Sequence, residues 1–157
     1  MTIATEPAGP GFSYERFQEI APAARAALLA MGKAVDDSGL DKRLTELVKL
    51  RVSQINRCAF CVGFHLGIAR RVGVDAAKLD LVAAWRDAGV FTEREKAALA
   101  WAERLMLMAD APVTGDDQAR LLAEFSEAEA LNLTVAIANI NAWNRIAGGL
   151  HFPPPVA

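Results

Sequence analysis

The sequence predicts an all-α domain, and three observations support this prediction. The 157-residue chain contains 31 alanines and is 53% hydrophobic, and alanine is the strongest helix former. Apolar residues recur at spacings of three and four, as in amphipathic helices. No stretch alternates polar and apolar residues as a half-buried strand would. We therefore expect a compact bundle of six or seven helices with short connections.

The first half of the chain predicts three helices. One begins near Pro22, because proline fits a first helical turn, and ends near Val35. Asp41 can act as the N-cap of the second, which has one apolar stripe: Leu44, Leu47, Val48, Val52 and Ile55. The third runs from about Cys58 to Val72 and ends at Gly73, since glycine readily adopts the left-handed conformation.

The second half of the chain carries clear helix starts. Asp75 can cap a fourth helix that ends near Gly89. The run 92–95 (TERE) is a capping box that opens a helix to about Met108. Thr114 with Asp117 opens a shorter helix. A second capping box at 126–129 (SEAE) opens the last one, which reaches about Ile146.

The ends and the charge balance set the organisation of the chain. We expect a flexible arm at 1–13, one helical domain at 14–150 and a proline-rich tail at 151–157. The net charge of −2 and the absence of Lys/Arg runs argue against nucleic-acid or membrane partners. No secretory signal is recognisable, so we expect a cytoplasmic protein with reduced thiols.

Chemically, one segment stands out. On a helix, Cys58, Cys61 and His65 lie at i, i+3 and i+7 and share a face. The helix dipole and neighbouring Arg57 favour a thiolate at Cys58. His65 lies one turn beyond Cys61, where it can take the proton of that thiol. Glu46, beside the apolar stripe of the preceding helix, is the candidate partner that orients His65.

Several interpretations of this segment remain open. The cysteines can be an inert buried pair, since free cysteine is among the most buried residue types. Zinc would have three ligands here, but the other histidine, His151, lies in the tail. Covalent haem is excluded because Val62, not histidine, follows Cys61, and no βαβ unit supports a thioredoxin fold. We favour a redox-active dithiol and assign neither a cofactor nor a metal.

The pattern E-x11-C-x2-C-x3-H from Glu46 to His65 resembles the alkylhydroperoxidase D-like branch of the carboxymuconolactone decarboxylase superfamily. The likeness extends through 92–103 (TEREKAALAWAE) and 133–145 (LTVAIANINAWNR). The resemblance implies an all-α fold, a homotrimer or homohexamer, and a thiol-dependent hydroperoxide reductase. It also implies that Cys61 attacks the peroxide, that Cys58 resolves the product to a disulfide, and that His65 and Glu46 handle protons. An external dithiol or lipoyl-type reductant would then restore the thiols.

Two features qualify the resemblance. The electrostatic argument favours Cys58 as the more acidic thiol, whereas the resemblance makes Cys61 the attacking one. We side with the resemblance for the peroxide step and expect Cys58 to be the more accessible sulfur for reduction. Phe60 stands where well-characterised members of the family have a histidine, which predicts weaker peroxidase activity. The alternatives are therefore a dithiol-disulfide redox sensor or carrier, and an inert oligomeric binding protein.

The remaining part of the signature lies in the last predicted helix. Its polar and aromatic members are Asn141, Trp143, Asn144 and Arg145. Amide side chains in a buried helix must find hydrogen-bond partners. We therefore expect them to serve packing and polar satisfaction first, and to line a pocket second.

Overall fold

A computed structural model describes residues 11–155, which contain eight α-helices and no strand. The helices are α1 (Tyr14–Ile20), α2 (Pro22–Asp37), α3 (Lys42–Ile55), α4 (Ala59–Arg71), α5 (Ala76–Leu81), α6 (Glu93–Met106), α7 (Gly115–Leu122) and α8 (Glu127–Gly149). A single 3-10 turn, Val82–Ala84, follows α5. The all-α prediction is confirmed, with one or two helices more than expected.

Helix α3 is the centre of the fold. It packs against α4, α6 and α8, and α8 also packs against α2 and α4. Nine of its 14 residues are buried, so its polar residues cannot all face solvent. Glu46, Lys49 and Ser53 are among the buried ones. Because burying such groups is costly unless they are paired, each must find a partner inside the bundle.

The predicted caps are found where expected. Asp41 and Asp75 accept hydrogen bonds from the first turns of α3 and α5. Capping boxes at Thr92 and Ser126 open α6 and α8. Thr114 also opens α7 with a capping box. These local signals fix where the helices begin and hence the connections between them.

Two elements differ from the prediction. Helix α1 was not expected; Ser13 caps it, and it has no buried residue, so no apolar stripe marks it. The helix predicted from Asp75 to Gly89 ends at Leu81 and tightens into the 3-10 turn. There Val82 and Trp85 are buried against the core. Tertiary packing therefore outweighs helix propensity in this stretch.

The chain beyond α8 folds back over the bundle. Phe152 is buried and packs edge-on against Phe60, with ring centroids 5.7 Å apart. A Cβ atom at Gly63 would lie 3.3 Å from the Pro155 ring, so glycine allows the tail to pass close to α4. Most of the predicted arm, residues 1–10, and the last two tail residues lie outside the described residues. Among residues 11–155, no helix is both long and apolar enough to cross a membrane.

Candidate active site

The two thiols lie at the start of α4. Arg57 adopts a positive φ of 54°, which turns the chain from α3 into α4. Cys58 is the N-cap, and its Sγ accepts a hydrogen bond from the backbone N–H of Cys61 at 3.4 Å. Both cysteines are free thiols and are almost fully buried. The helix thus begins one residue later than predicted, and the thiols stay adjacent.

The two sulfurs have different surroundings. Cys61 lines a cavity, and Cys58 instead faces α8. A Cβ atom at Gly148 would lie 3.7 Å from the Cys58 Sγ. The expectation that Cys58 is the more accessible sulfur is therefore wrong, because α8 covers it. Of the two sulfur-bearing residues, Cys61 is therefore the one that lines the cavity.

His65 and Glu46 form the predicted pair. His65 Nδ1 lies 2.6 Å from Glu46 Oε2, and the glutamate is completely buried. Burial alone would raise the pKa of Glu46. The hydrogen bond and charge of His65 and the ammonium of Lys49 outweigh that effect and lower the pKa from 4.5 to about 2. Glu46 is therefore ionised at neutral pH and can orient the imidazole.

Two lysines complete the surroundings of Glu46. The Nζ atoms of Lys49 and Lys42 lie 3.0 Å and 3.2 Å from Glu46 Oε1. Sequence reasoning singled out neither lysine. Their spacing of three and four residues from Glu46 on one helix was the available signal, since such residues are neighbours on a helix surface. That signal does not reveal burial, which depends on how α2, α3 and α8 pack.

Cys61 is a poor acid in this environment. Burial, followed by its hydrogen bond with Cys58, raises the pKa of the Cys61 thiol to about 12, although Asn144 acts in the opposite direction. Cys61 is therefore a neutral thiol at pH 7. A base must accept its proton when it reacts, and His65 lies one turn away on the wall of the same cavity.

The cavity beside Cys61 has a volume of about 250 Å³. Aromatic side chains form much of its wall: Tyr14, Phe60, Phe64 and Trp143. Phe60 stacks between Tyr14 and Phe64, with centroids 5.8 Å and 6.2 Å away. The position expected to hold a histidine in well-characterised relatives is thus part of an apolar wall.

An amide network supports the site from behind. Asn56 Nδ2 donates to the Oδ1 atoms of Asn141 and Asn144, each at 2.8 Å. Asn144 Nδ2 donates to Ser53 Oγ at 3.1 Å, and Arg145 donates to Asn141 Oδ1 at 2.9 Å. These bonds tie the end of α3 to α8. The amides of the signature thus find hydrogen-bond partners, and Trp143 lines the cavity.

Within residues 11–155 there is no cluster of three or more His, Cys, Asp or Glu side chains suited to a metal ion. Cys58, Cys61 and His65 share the α4 region, but Cys58 faces α8, whereas Cys61 and His65 line the cavity. The donors present fit thiol and proton chemistry.

Comparison with known proteins shows which family the sequence matches. The model of the carboxymuconolactone decarboxylase family matches residues 22–104. The uncharacterised Bacillus subtilis protein YdfG is 33% identical over 131 residues, which cover 83% of this chain and 89% of YdfG.

Solved structures agree with this result. A protein of unknown function from Agrobacterium tumefaciens, provisionally described as the antioxidant defence protein AhpD, has a TM-score of 0.85 and 39% identity over 90% of this chain and 97% of its own. A peroxidase-related protein from Ralstonia eutropha JMP134 with an AhpD core has a TM-score of 0.76 over 88% of this chain and 74% of its own. At 24% identity, that second likeness shows the fold alone.

Proposed function

The chain belongs to the carboxymuconolactone decarboxylase family and has an AhpD-like fold, and on this basis we propose that it is a thiol-dependent hydroperoxide reductase. The observation that carries the proposal is the arrangement of Cys61 and the His65–Glu46 pair on the wall of one apolar cavity. Cys58 supports it, because it contacts the first turn that holds Cys61.

The peroxide step needs a base because Cys61 is protonated at rest. Ionised Glu46 accepts a hydrogen bond from His65 Nδ1, which leaves Nε2 as the basic nitrogen. In the proposed step, Nε2 takes the Cys61 proton and the sulfur attacks one peroxide oxygen. The O–O bond breaks, Cys61 becomes a sulfenic acid, and the leaving alkoxide takes the proton back from His65 as an alcohol.

The second half of the cycle restores the thiols. The Cys58 sulfur attacks the Cys61 sulfenic acid, a disulfide forms, and water leaves. An external dithiol, of which a dihydrolipoyl group is one example, then reduces the disulfide. The balance is one hydroperoxide and one dithiol consumed for one alcohol, one water and one oxidised dithiol.

The test is a peroxidase assay with dithiol reductants on wild type, Cys61→Ser and Cys58→Ser. We expect each substitution to abolish turnover while the far-UV circular dichroism stays helical. Mass spectrometry of the wild type after one equivalent of peroxide should find a Cys58–Cys61 disulfide. Unchanged peroxide consumption in either variant would refute the proposal.

A second candidate function is a redox sensor or dithiol-disulfide carrier that reacts slowly with peroxides. The high pKa of Cys61 favours it, because the thiolate is the reactive species. The apolar Phe60 favours it too. Rates of disulfide formation with a panel of peroxides and oxidised dithiols separate the two functions. Fast, saturable oxidation by an organic hydroperoxide supports the reductase, and preference for disulfide substrates supports the carrier.

We also propose that the chain acts as a homo-oligomer, a trimer or hexamer. Large apolar side chains remain exposed on the single subunit, among them Ile20 at 65%, Leu131 at 63% and Met108 at 59%. Exposed apolar side chains are found at subunit interfaces where they form a continuous patch, and association of subunits would cover them. Light scattering after size exclusion measures the mass, and a monomer at micromolar concentration would contradict the proposal.

A further inference from the structure

The cavity beside Cys61 contains a buried ammonium group that the proposed peroxide chemistry does not use. Lys49 lines this cavity, and its side chain is only 9% exposed. An ammonium group has three N–H donors. Among the described residues, the Lys49 Nζ donates one hydrogen bond, to Glu46 Oε1. Lys49 therefore retains donors for an acceptor that enters the cavity.

The carboxylates of the cavity are already engaged. Glu46 Oε1 is paired with Lys49 and Lys42, and Oε2 is paired with His65. Both oxygens of Asp36 accept hydrogen bonds from Lys42, at 2.7 Å and 2.8 Å. The cavity thus has unused hydrogen-bond donors and few free acceptor oxygens.

The charged groups around the cavity form pairs. Lys33 pairs with Asp37, Lys42 with Asp36, and Lys49 with Glu46. Of these lysines only Lys49 is buried. The feature that suits an anion is therefore the set of unused N–H donors on the buried Lys49, rather than an excess of positive charge.

The rest of the cavity wall indicates the size and polarity of the ligand's body. The rings of Tyr14, Phe60, Phe64 and Trp143 offer apolar faces, and a space of about 250 Å³ suits a body of one ring. Lys49 and Cys61 both line the cavity, and neither bonds to the other: Lys49 bonds to Glu46, which bonds to His65. A ligand that touches both Lys49 and Cys61 therefore carries its anionic group and its reactive group at different positions on its body.

We propose that the substrate is a hydroperoxide with an apolar, ring-sized body that ends in a carboxylate, and that Lys49 binds this carboxylate. The identity of the reacting group rests on the proposed function, whereas binding of the carboxylate does not. The Lys49 ammonium donates to the carboxylate while it keeps its bond to Glu46. The hydroperoxide end then lies beside Cys61.

Binding without turnover is the first measurement. Calorimetry at pH 7 compares 4-isopropylbenzoate with 4-isopropylbenzamide, a neutral compound of nearly the same shape. We expect the wild type to bind the acid about tenfold more tightly, which corresponds to one charge-assisted hydrogen bond. Lys49→Met should abolish this preference, and Lys49→Arg should retain it. Lys42→Met is the matched control: it also removes a lysine from Glu46, so an effect that passes through Glu46 would appear there as well.

The outcomes separate this inference from the proposed function. Equal or weaker binding of the acid by the wild type overturns the inference, even if Lys49→Met does not fold. Loss of the preference in Lys42→Met as well as Lys49→Met also overturns it. Turnover of cumene hydroperoxide and of its para-carboxy derivative is the second measurement. A Lys49-dependent preference for the carboxy derivative supports the inference. Tight binding of the acid without turnover of either peroxide supports the Lys49 site and refutes the reductase.

Discussion

Replacement of the buried Glu46 by glutamine should destabilise the protein at neutral pH and leave its stability nearly unchanged in strong acid. The substitution keeps the size of the side chain and one acceptor oxygen for Lys49. It removes the negative charge that His65 and Lys49 face. Any effect therefore reports the charge rather than a cavity.

The magnitude follows from the pKa of Glu46. A pKa of 4.5 in the unfolded chain and about 2 in the folded one makes the ionised carboxylate worth about 3 kcal/mol of folding free energy at pH 7. Because the folded pKa is the lower one, this contribution is complete above pH 4.5 and is lost as the pH falls toward 2. We expect the Glu46→Gln variant to lose about 3 kcal/mol at pH 7, or about 6–12 °C in Tm for a domain of this size.

Urea unfolding followed by circular dichroism at pH 7, 5 and 3 measures the difference between wild type and variant. The difference should be constant from pH 7 to 5 and shrink markedly by pH 3. Glu124→Gln, at an exposed position, is the control and should change stability by less than about 0.5 kcal/mol. A loss below about 1 kcal/mol at pH 7, or a difference that does not shrink in acid, would refute the electrostatic account of Glu46.

Three further predictions concern other parts of the molecule. Burial raises the pKa of Cys61 to about 12. The rate at which iodoacetamide alkylates Cys61, followed by mass spectrometry, should therefore rise about tenfold per pH unit from pH 8 to 10. A plateau near pH 8 would contradict this. Phe152→Ala removes a buried ring and should lower the free energy of unfolding, measured in urea, by about 3 kcal/mol. A change near zero would show that the tail does not pack on α4 in solution. Asn144→Ala removes one hydrogen bond from Asn56 and one from Ser53 and should lower the free energy of unfolding by about 1–3 kcal/mol; an unchanged free energy of unfolding would contradict this.

Much of the fold could be predicted because its signals are local. Asp41, Thr92 and Ser126 begin their helices with side chains that bond to backbone within the same turn, so a short stretch of sequence suffices. Helix α1 also has a local cap, Ser13, but it buries no residue and so shows no apolar stripe in the sequence. Aromatic contacts with distant parts of the chain stabilise it. One of these joins Phe17 and Trp143, with centroids 5.9 Å apart. Contacts of that kind are invisible in a linear reading.

The residues of the candidate site also differ in how far the sequence alone could predict them. Cys58, Cys61 and His65 belong to one helical segment, so their spacing alone predicted that they lie near each other. The pairing of His65 with Glu46 joins two helices. The place of Glu46 beside the apolar stripe made it a candidate partner, and the likeness of the motif to a known family supported that choice. The roles of Lys42 and Lys49 depend on which face of α3 becomes buried, which only the packing decides.

The apolar cavity explains why the Cys61 thiol and the His65–Glu46 pair occur together. An apolar wall suits an organic substrate, but the same burial keeps Cys61 protonated and unreactive. A protonated thiol does not form disulfides or alkylation products readily, so in the proposed cycle Cys61 is protected between turnovers. Reaction of Cys61 then requires a base beside the thiol, and in the proposed mechanism His65, held by Glu46, takes that role. The buried charge of Glu46 in turn requires a buried cation, which Lys49 supplies. If the proposed reductase is correct, these residues together keep the Cys61 thiol protonated in an apolar space and allow it to react when a substrate enters.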